Sequence, residues 1–420
     1  MKVTYFQQVP YRDLPDDFEK RYESVVTPPY RELTEPAKVH GAFRYALDEM
    51  MHAARAGFDA VAVTEHAQSA YDMAPNPNIL EAAVAHATEA EGIRTGIYPL
   101  GRSLGKSREP LRAAEELAML DAISNGRLIA GFPVGLAYDA NVNNGVPPAE
   151  TRLRFDENLE LVLKAWREPR PFAWNGRFHQ HPAVNIWPRP LQPNPPVFIT
   201  GIGNPRTMEF CLQRGFGFNY FGWFGAKVAG RRIFERFWDT ANRLGKDDNP
   251  HQMGFMQTIC VADSDAKAEK LFARHAEYFF QKGIGSIPME RLSLPGGIDI
   301  KGLQFIFRDP GDFGIYPRMR EASFAELLEA GSVICGSPAT VRDRITSFAR
   351  EFRIGNLHAM LQFGSMPHEL AKDNISLFAE QVLPHLRQIW TDEGWQHHWW
   401  PEALGGVSHP TSAHTEAVTA

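Results

Sequence analysis

Apolar β-rich runs alternate with helical periodicity, about eight such units follow one another, and no composition break divides them. Together these predict an α/β fold, a (β/α)8 TIM barrel with rim insertions. The first unit is a strand at Val3 to Phe6 and a helix over Val39 to Ala56, closed by Gly57 at the C-cap position that glycine favours. Ala60 to Thr64 is almost wholly apolar and reads as a strand buried on both faces. A helix over Asn78 to Ala90 follows, then a strand at Ile93 to Tyr98, and a helix opened by Pro110 and stopped near Asn125-Gly126. Leu128 to Gly131 is the fourth strand and Thr151 to Trp166 its helix. Val197 to Thr200, Asn204 to Arg214, Gly217 to Phe221 and Ala226 to Leu244 continue the alternation. Phe255 to Val261 is the seventh strand; helices near Asp265 to Gln281 and Thr340 to Phe352 precede the eighth, Leu357 to Phe363.

On this reading residues 1–390 form one domain, with insertions at about 10–36, 169–196 and 283–322, and residues 391–420 form a C-terminal tail, flexible from about Pro401. The first insertion follows a strand, which puts it at the C-terminal rim where barrel active sites are built. The second contains Asn175-Gly176, a hairpin signal, and the Pro-rich run Trp187-Pro188-Arg189-Pro190. The third, with Gly296-Gly297 at a hinge, reads as a lid over the rim.

Composition narrows the function. Hydrophobic residues are 44% and charged residues 22% of the 420, an ordered globular balance, and the net charge of -6 includes no concentrated block of Lys and Arg for nucleic acid. Three cysteines, Cys211, Cys260 and Cys335, stand far apart without CxxC spacing, which fits a reducing compartment and supports neither a disulfide framework nor a thiolate zinc site. The N-terminus turns polar before an apolar signal core forms, and no stretch of about 18 apolar residues occurs, so a cytoplasmic protein without a membrane partner is expected.

Among the motifs, Gly101-Arg102-Ser103-Leu104-Gly105 matches the G-x-S-x-G of a serine nucleophile elbow, but Lys106 to Glu109 separate the serine from its helix and no oxyanion segment lies upstream. The same stretch ends one residue short of a phosphate loop at Lys106, and no G-x-G-x-x-G follows any strand, so the usual nicotinamide fingerprint is missing. Glu65-His66 directly follows the second strand and so stands at a barrel strand's C-terminal end, where an imidazole can exchange a proton near neutral pH. Gly201-Ile202-Gly203-Asn204-Pro205 joins the fifth strand to its helix, a turn whose backbone N–H groups suit an anion or simply close tightly. Tyr220, Phe221 and Trp223 at the sixth strand's end, with Phe305 and Phe307 in the third insertion, are candidates to wall an apolar or aromatic substrate. His179, His181, His397 and His398 have no acidic or cysteine partner in sequence to complete a metal site.

Taken together, Gly57-Phe58-Asp59 through Glu65-His66, Leu120-Asp121-Ala122-Ile123-Ser124-Asn125-Gly126-Arg127-Leu128, Arg154-Phe155-Asp156-Glu157 with Trp166, Trp187-Pro188-Arg189-Pro190-Leu191-Gln192, Cys335-Gly336-Ser337-Pro338 and Val382-Leu383-Pro384 resemble the bacterial luciferase-like flavin monooxygenases. The likeness covers roughly residues 1 to 390 outside the insertions. It implies a barrel that takes reduced FMN from a separate NAD(P)H:flavin reductase, reacts with O2, oxygenates a small organic molecule and is often a homodimer; the missing dinucleotide fingerprint agrees.

By the same resemblance His66 is the proton-transfer residue and Glu65 its acidic neighbour near the flavin. Arg152, with Arg154 nearby, and Gly201, Gly203 and Asn204 match the family's phosphate contacts, and Tyr98-Pro99 sits where relatives can carry a cis peptide against the ring. Ala67 stands where many relatives have a second histidine, and Val134 where the luciferase has a phosphate-contacting arginine. A deazaflavin-dependent dehydrogenase or reductase of the same fold, a serine hydrolase using Ser103 and a non-catalytic flavin-binding protein are the alternative readings.

Overall fold

Side chains two apart on a strand share a face, so each buried parallel strand feeds two separate apolar cores. The computed structural model describes residues 1–220, 223, 227, 230–288, 294 and 316–407. Its strands are β1 (Lys2–Gln7), β2 (Ala60–Val63), β3 (Gly96–Pro99), β4 (Ala130–Gly131), β5 (Phe172–Asn175), β6 (Gln180–Val184), β7 (Val197–Gly201), β8 (Gly217–Tyr220), β9 (Met253–Val261), β10 (Val333–Gly336) and β11 (Asn356–Met360). Eight of them run parallel in the order β3-β2-β1-β11-β9-β8-β7-β4, and a bridge between Ile97 and Leu128 joins the two ends, so the sheet closes into the expected barrel.

One core fills the barrel with Phe6, Ala62, Tyr98, Ile129, Phe198, Met256 and Met360; the other, with Val3, Val61, Ile97, Ile199, Phe218 and Leu357, lies between strands and helices. The covering helices are α1 (Pro36–Arg55), α2 (Pro77–Ala90), α3 (Pro110–Ile123), α4 (Pro148–Arg167), α5 (Pro205–Arg214), α6 (Arg231–Arg243), α7 (Asp265–Tyr278), α8 (Pro338–Phe352) and α9 (His368–Gln381). Six of these open on proline, whose fixed φ suits the first helical position and whose missing N–H costs nothing there.

Several residues that carry the family resemblance hold the scaffold together. Asp121 on α3 accepts hydrogen bonds from the Leu128 N–H at 3.3 Å and from Gln192 at 2.7 and 2.9 Å, tying α3 to the entry of β4. Arg127 is buried and donates to the carbonyls of Ser124 and Thr95 at 2.7 and 2.6 Å, and the Trp166 indole donates to Ala114 at 2.9 Å.

Four features depart from the sequence expectation. β10 is a ninth strand that pairs with the end of β9 outside the barrel order, its apolar run too short to stand out. Tyr138–Asn143, between the fourth strand and its helix where the sequence predicts no element, is a π-helical turn. The second insertion is not at the rim: its β5–β6 hairpin, which the Asn-Gly signal anticipates, lies along α4, where Glu157 accepts from the Phe178 and His179 N–H groups at 2.9 Å. Residues 391–407 pack onto the strands' N-terminal end, with Trp399 and Trp400 buried, His397 bonded to Asn356 at 3.0 Å and Pro401 also buried. Of the third insertion, residues 289–293 and 295–315, including the Gly296-Gly297 hinge, fall outside the described residues.

The β3 loop lies so close to its neighbours that no side chain fits. A Cβ on Gly101 would sit 2.5 Å from the Glu65 nitrogen, one on Gly105 would overlap the Val134 carbonyl, and one on Gly131 would overlap the backbone of Leu100. The serine-elbow pattern at 101–105 therefore has a steric origin. Gly131→Ala is expected to lower stability by about 2–4 kcal/mol, read from urea unfolding, because the obstacle is backbone and cannot rotate away.

Candidate active site

Past Val63 the chain of β2 continues through Thr64, Glu65 and His66 into the barrel mouth, then folds back so that the His66 N–H reaches the Ala74 carbonyl at 3.2 Å. His66 Nδ1 lies 2.8 Å from Asp139 Oδ2 and 2.8 Å from the Tyr138 hydroxyl, both supplied by the π-helical turn. The Ala67 N–H donates to the other Asp139 oxygen at 2.9 Å. Burial pushes the Asp139 carboxyl up, but the charge and hydrogen bond of His66, with Lys106 beyond, outweigh it and hold the group below its ordinary range. The carboxylate thus accepts from Nδ1–H, which leaves Nε2 as the nitrogen free to exchange a proton. The Tyr71 ring packs 5.0 Å from the imidazole, and its hydroxyl meets that of Tyr138.

Glu65 is bound more tightly than an acidic neighbour needs to be. Its carboxylate is buried and meets Lys106 Nζ at 3.0 Å, Arg102 at 3.2 Å and the Ser103 N–H at 3.2 Å, while Lys106 also faces Asp139 at 3.9 Å. The close-approach glycines of the β3 loop bring these cations to the end of β2. Asp72 completes the mouth: it accepts from Val9 N–H at 3.0 Å, the Thr64 hydroxyl at 2.8 Å and Ala74 N–H at 3.2 Å. Its complete burial raises the carboxyl to about 6 against the pull of His66 and these donors.

An apolar roof covers this end of the barrel. From the first insertion Tyr11, Phe18, Val25 and Val26 join Phe279, Phe280, Ile284, Met319, Phe363 and Met366 in the same apolar cluster as the barrel interior. Lys282 fastens the two parts by donating to the Pro15 and Asp16 carbonyls at 2.8 Å.

Other sequence candidates scatter. Tyr98 points into the barrel, its hydroxyl accepting from Asn219 at 2.6 Å, and its bond to Pro99 is trans; the cis peptide among the described residues is Trp187–Pro188. Arg152 reaches α5, donating to Thr207 at 3.1 Å and to Asp156 at 2.8 Å, next to the turn of Gly201, Gly203 and Asn204. Arg154 does not join it: it bonds Glu150 at 2.9 Å and lies over the Phe178 ring of the hairpin. Tyr220 faces outward against Phe234 of α6 and not into the mouth, because its place on β8 alternates with the inward Asn219. Trp223 packs beneath the roof against Phe279 with ring centroids 5.0 Å apart; Phe221, Phe305 and Phe307 lie outside the described residues. Ser103 donates to the Val134 carbonyl at 3.3 Å, with its backbone N–H on Glu65, a positioning arrangement with no imidazole bonded to the hydroxyl.

Sequence reading missed Asp139, Tyr138, Tyr71 and Asp72. None carries a motif, and Asp139 is brought to His66 from 73 positions away by the π-helical turn. Lys106 left a trace as the basic end of a broken phosphate loop.

The turn after β7 fits the phosphate of the implied flavin. Arg152 and Arg206 share the one carboxylate of Asp156, at 2.8 and 3.6 Å, which leaves positive charge beside it, and the buried Thr200 hydroxyl has no partner among the described residues. Gly203 holds φ at 102° with Ile233 where a Cβ would stand, so only glycine closes this turn without strain.

The chain matches the family model described as luciferase-like monooxygenase over residues 25–353. It is similar to the oxygenase component of the flavin-dependent trigonelline monooxygenase of Acinetobacter baylyi, 34% identical over 178 residues, which span 40% of this chain and only 46% of that relative. It is similar also to 2,5-diketocamphane 1,2-monooxygenase 1 of Pseudomonas putida, 26% identical over 355 residues, 79% of this chain and 90% of that one. Among solved structures, the FMN complex of the oxygenating constituent of the 3,6-diketocamphane monooxygenase of Pseudomonas putida shares the fold with a TM-score of 0.67, at 19% identity over 91% of this chain and 98% of that one. An F420-dependent secondary alcohol dehydrogenase shares it with a TM-score of 0.62, at 15% identity over 92% and 99%.

Two outcomes test the electrostatics of the mouth. Lys106→Met is expected to cost about 3 kcal/mol in urea unfolding, since it strands Glu65 with reduced compensation in a buried site. Asp72 has a folded-state pKa above its unfolded 3.8, so its stabilisation is complete below about 4 and disappears as pH rises through about 6. Relative to Asp72→Asn, the native protein should therefore lose roughly 3 kcal/mol between pH 3 and pH 7.5, measured by parallel unfolding curves.

Proposed function

The chain belongs to the luciferase-like monooxygenase family, and from that premise we propose a two-component FMN-dependent monooxygenase that oxygenates an apolar or aromatic small molecule. The observation that carries the reading is the His66–Asp139 pair, 2.8 Å apart at the end of β2 beneath an apolar roof. A separate NAD(P)H:flavin reductase is the natural source of reduced FMN, because no dinucleotide fingerprint occurs in the chain and the trigonelline relative is named an oxygenase component. Bound reduced FMN supplies the electrons that activate O2.

The residues of this chain do the rest. Arg152 and the turn of Gly203 and Asn204 hold the phosphate, and the roof keeps water from the reacting centre and receives the apolar body of the substrate. Asp139 fixes the imidazole through Nδ1, and His66 moves one proton at Nε2. Glu65, held by Lys106 and Arg102, acts as a positioning residue that fixes the loop beside His66 and exchanges no proton itself.

The proposal extends to a cytoplasmic homodimer. Ile79, Met119 and Ile123 are apolar side chains left exposed on α2 and α3, and no described helix is long and apolar enough to cross a membrane.

Turnover should require both reduced FMN and oxygen, with product oxygen derived from 18O2 by mass spectrometry. His66→Ala should lower kcat by about 10²–10³-fold while FMN affinity stays within a factor of about two. Hydride transfer from reduced deazaflavin under nitrogen would defeat the reading.

A further inference from the structure

Two glutamines follow the ends of the adjacent parallel strands β1 and β11. β1 and β11 pair from Lys2 with Asn356 to Phe6 with Met360, and Gln8 and Gln362 each follow two residues beyond that last pair. Phe6, Met360 and Phe363 belong to the inner core and Val9 and Leu361 to the outer one, so alternation turns Gln8 inward and sets Gln362 between the outward Leu361 and the inward Phe363. Each glutamine is 0% exposed, and neither the oxygen nor the nitrogen of either carboxamide has a hydrogen-bond partner among the described residues. Thr258, paired with Met360 one layer below, adds a third unpartnered group.

No other buried carboxamide among the described residues is left unpaired at both ends, although Asn78 and Asn158 leave their oxygens without a partner. Asn374 donates to the Ile259 and Leu361 carbonyls and accepts from the Val261 N–H, satisfying both ends. A buried amide left wholly unpaired is costly, and two of them at the ends of adjacent barrel strands are groups that a ligand can satisfy.

The unpaired atoms also define what that ligand offers. Each carboxamide presents N–H donors and a carbonyl acceptor. An anion would satisfy the donors and strand both oxygens; a cation would do the reverse. A neutral edge carrying C=O and N–H together can pair all four atoms, and in a planar ring it does so with both groups held in one plane.

We propose that Gln8 and Gln362, with Thr258, form a recognition floor for the amide or imide edge of a planar ring. The inference rests on the oxygenase reading for the mouth's being the ligand site. Two sources share this chemistry: the dione ring of the flavin, and a cyclic amide or imide substrate.

FMN paired with N3-methyl-FMN, and phthalimide paired with N-methylphthalimide, are the probes, titrated by fluorescence and calorimetry against the full-length protein. The native protein should prefer the unmethylated member of at least one pair by about tenfold or more. Gln8→Met and Gln362→Met should each remove that preference and raise the melting temperature of the ligand-free protein, because an unpaired amide gives way to an apolar chain of similar shape. Discrimination within the flavin pair assigns the floor to the cofactor, and within the phthalimide pair alone to the substrate.

Equal affinity within both pairs, absence of binding by all four probes, or a lower melting temperature in both variants overturns the proposal. The wild-type comparison decides even if a variant fails to fold. Loss of FMN binding alone, with phthalimide still discriminated, sinks the flavin reading and leaves this one standing.

Discussion

A carboxylate removed from water must meet compensating charge, and at the end of β2 two of them do so within one small volume. Glu65 and Asp139 are buried, and Lys106 stands between them at 3.0 and 3.9 Å, with Arg102 and His66 completing the set. The arrangement joins three separate segments: the end of β2, the loop after β3 and the π-helical turn after β4. Removing any member leaves a charge uncompensated in low dielectric, so the mouth is built as a unit. The glycines at 101, 105 and 131 allow it, because each lets one backbone approach another more closely than a Cβ permits.

Around that cluster the molecule is layered by polarity. The barrel interior is apolar through Phe6, Tyr98, Phe198 and Met256, with one paired polar layer in which Asn219 links Tyr98 to His358 at 2.6 and 2.9 Å. His358 is buried so completely that its pKa falls to about 3, so the imidazole is neutral there and serves the fold through its hydrogen bond. Above this layer Gln8, Gln362, Thr258 and Thr200 present atoms with no partner among the described residues below an apolar roof, as His358 Nδ1 does within it. A packed base beneath a polar surface with open valences is how a rigid scaffold presents a binding site at some cost to its own stability.

Asp139 and Asp72 show how environment separates groups of the same kind. Asp139 meets an imidazole and an ammonium and stays charged, whereas Asp72, a few residues from His66 and wholly buried, is lifted to about 6. Two carboxyls on one mouth thus occupy different protonation ranges, the pattern by which a site can hold a proton on one group while keeping charge on another.

The sequence by itself determined the barrel. All eight strands, the proline-opened helices and the Asn-Gly hairpin are written locally, because periodicity, φ preference and turn chemistry act within a few residues. His66 was equally legible, since the end of a barrel strand is a position that local reading can find. Its partners come only with the closed barrel: Asp139 and Tyr138 arrive from a distant turn, and the pairing of β1 with β11 puts Gln8 and Gln362 at the ends of adjacent strands. Tertiary structure also turned Tyr220 outward and sent Arg154 to the hairpin, both set by which neighbour each face meets. Backbone preferences are properties of short segments, whereas compensation of buried charge and pairing of buried amides depend on what else the closed barrel places within about 3 Å.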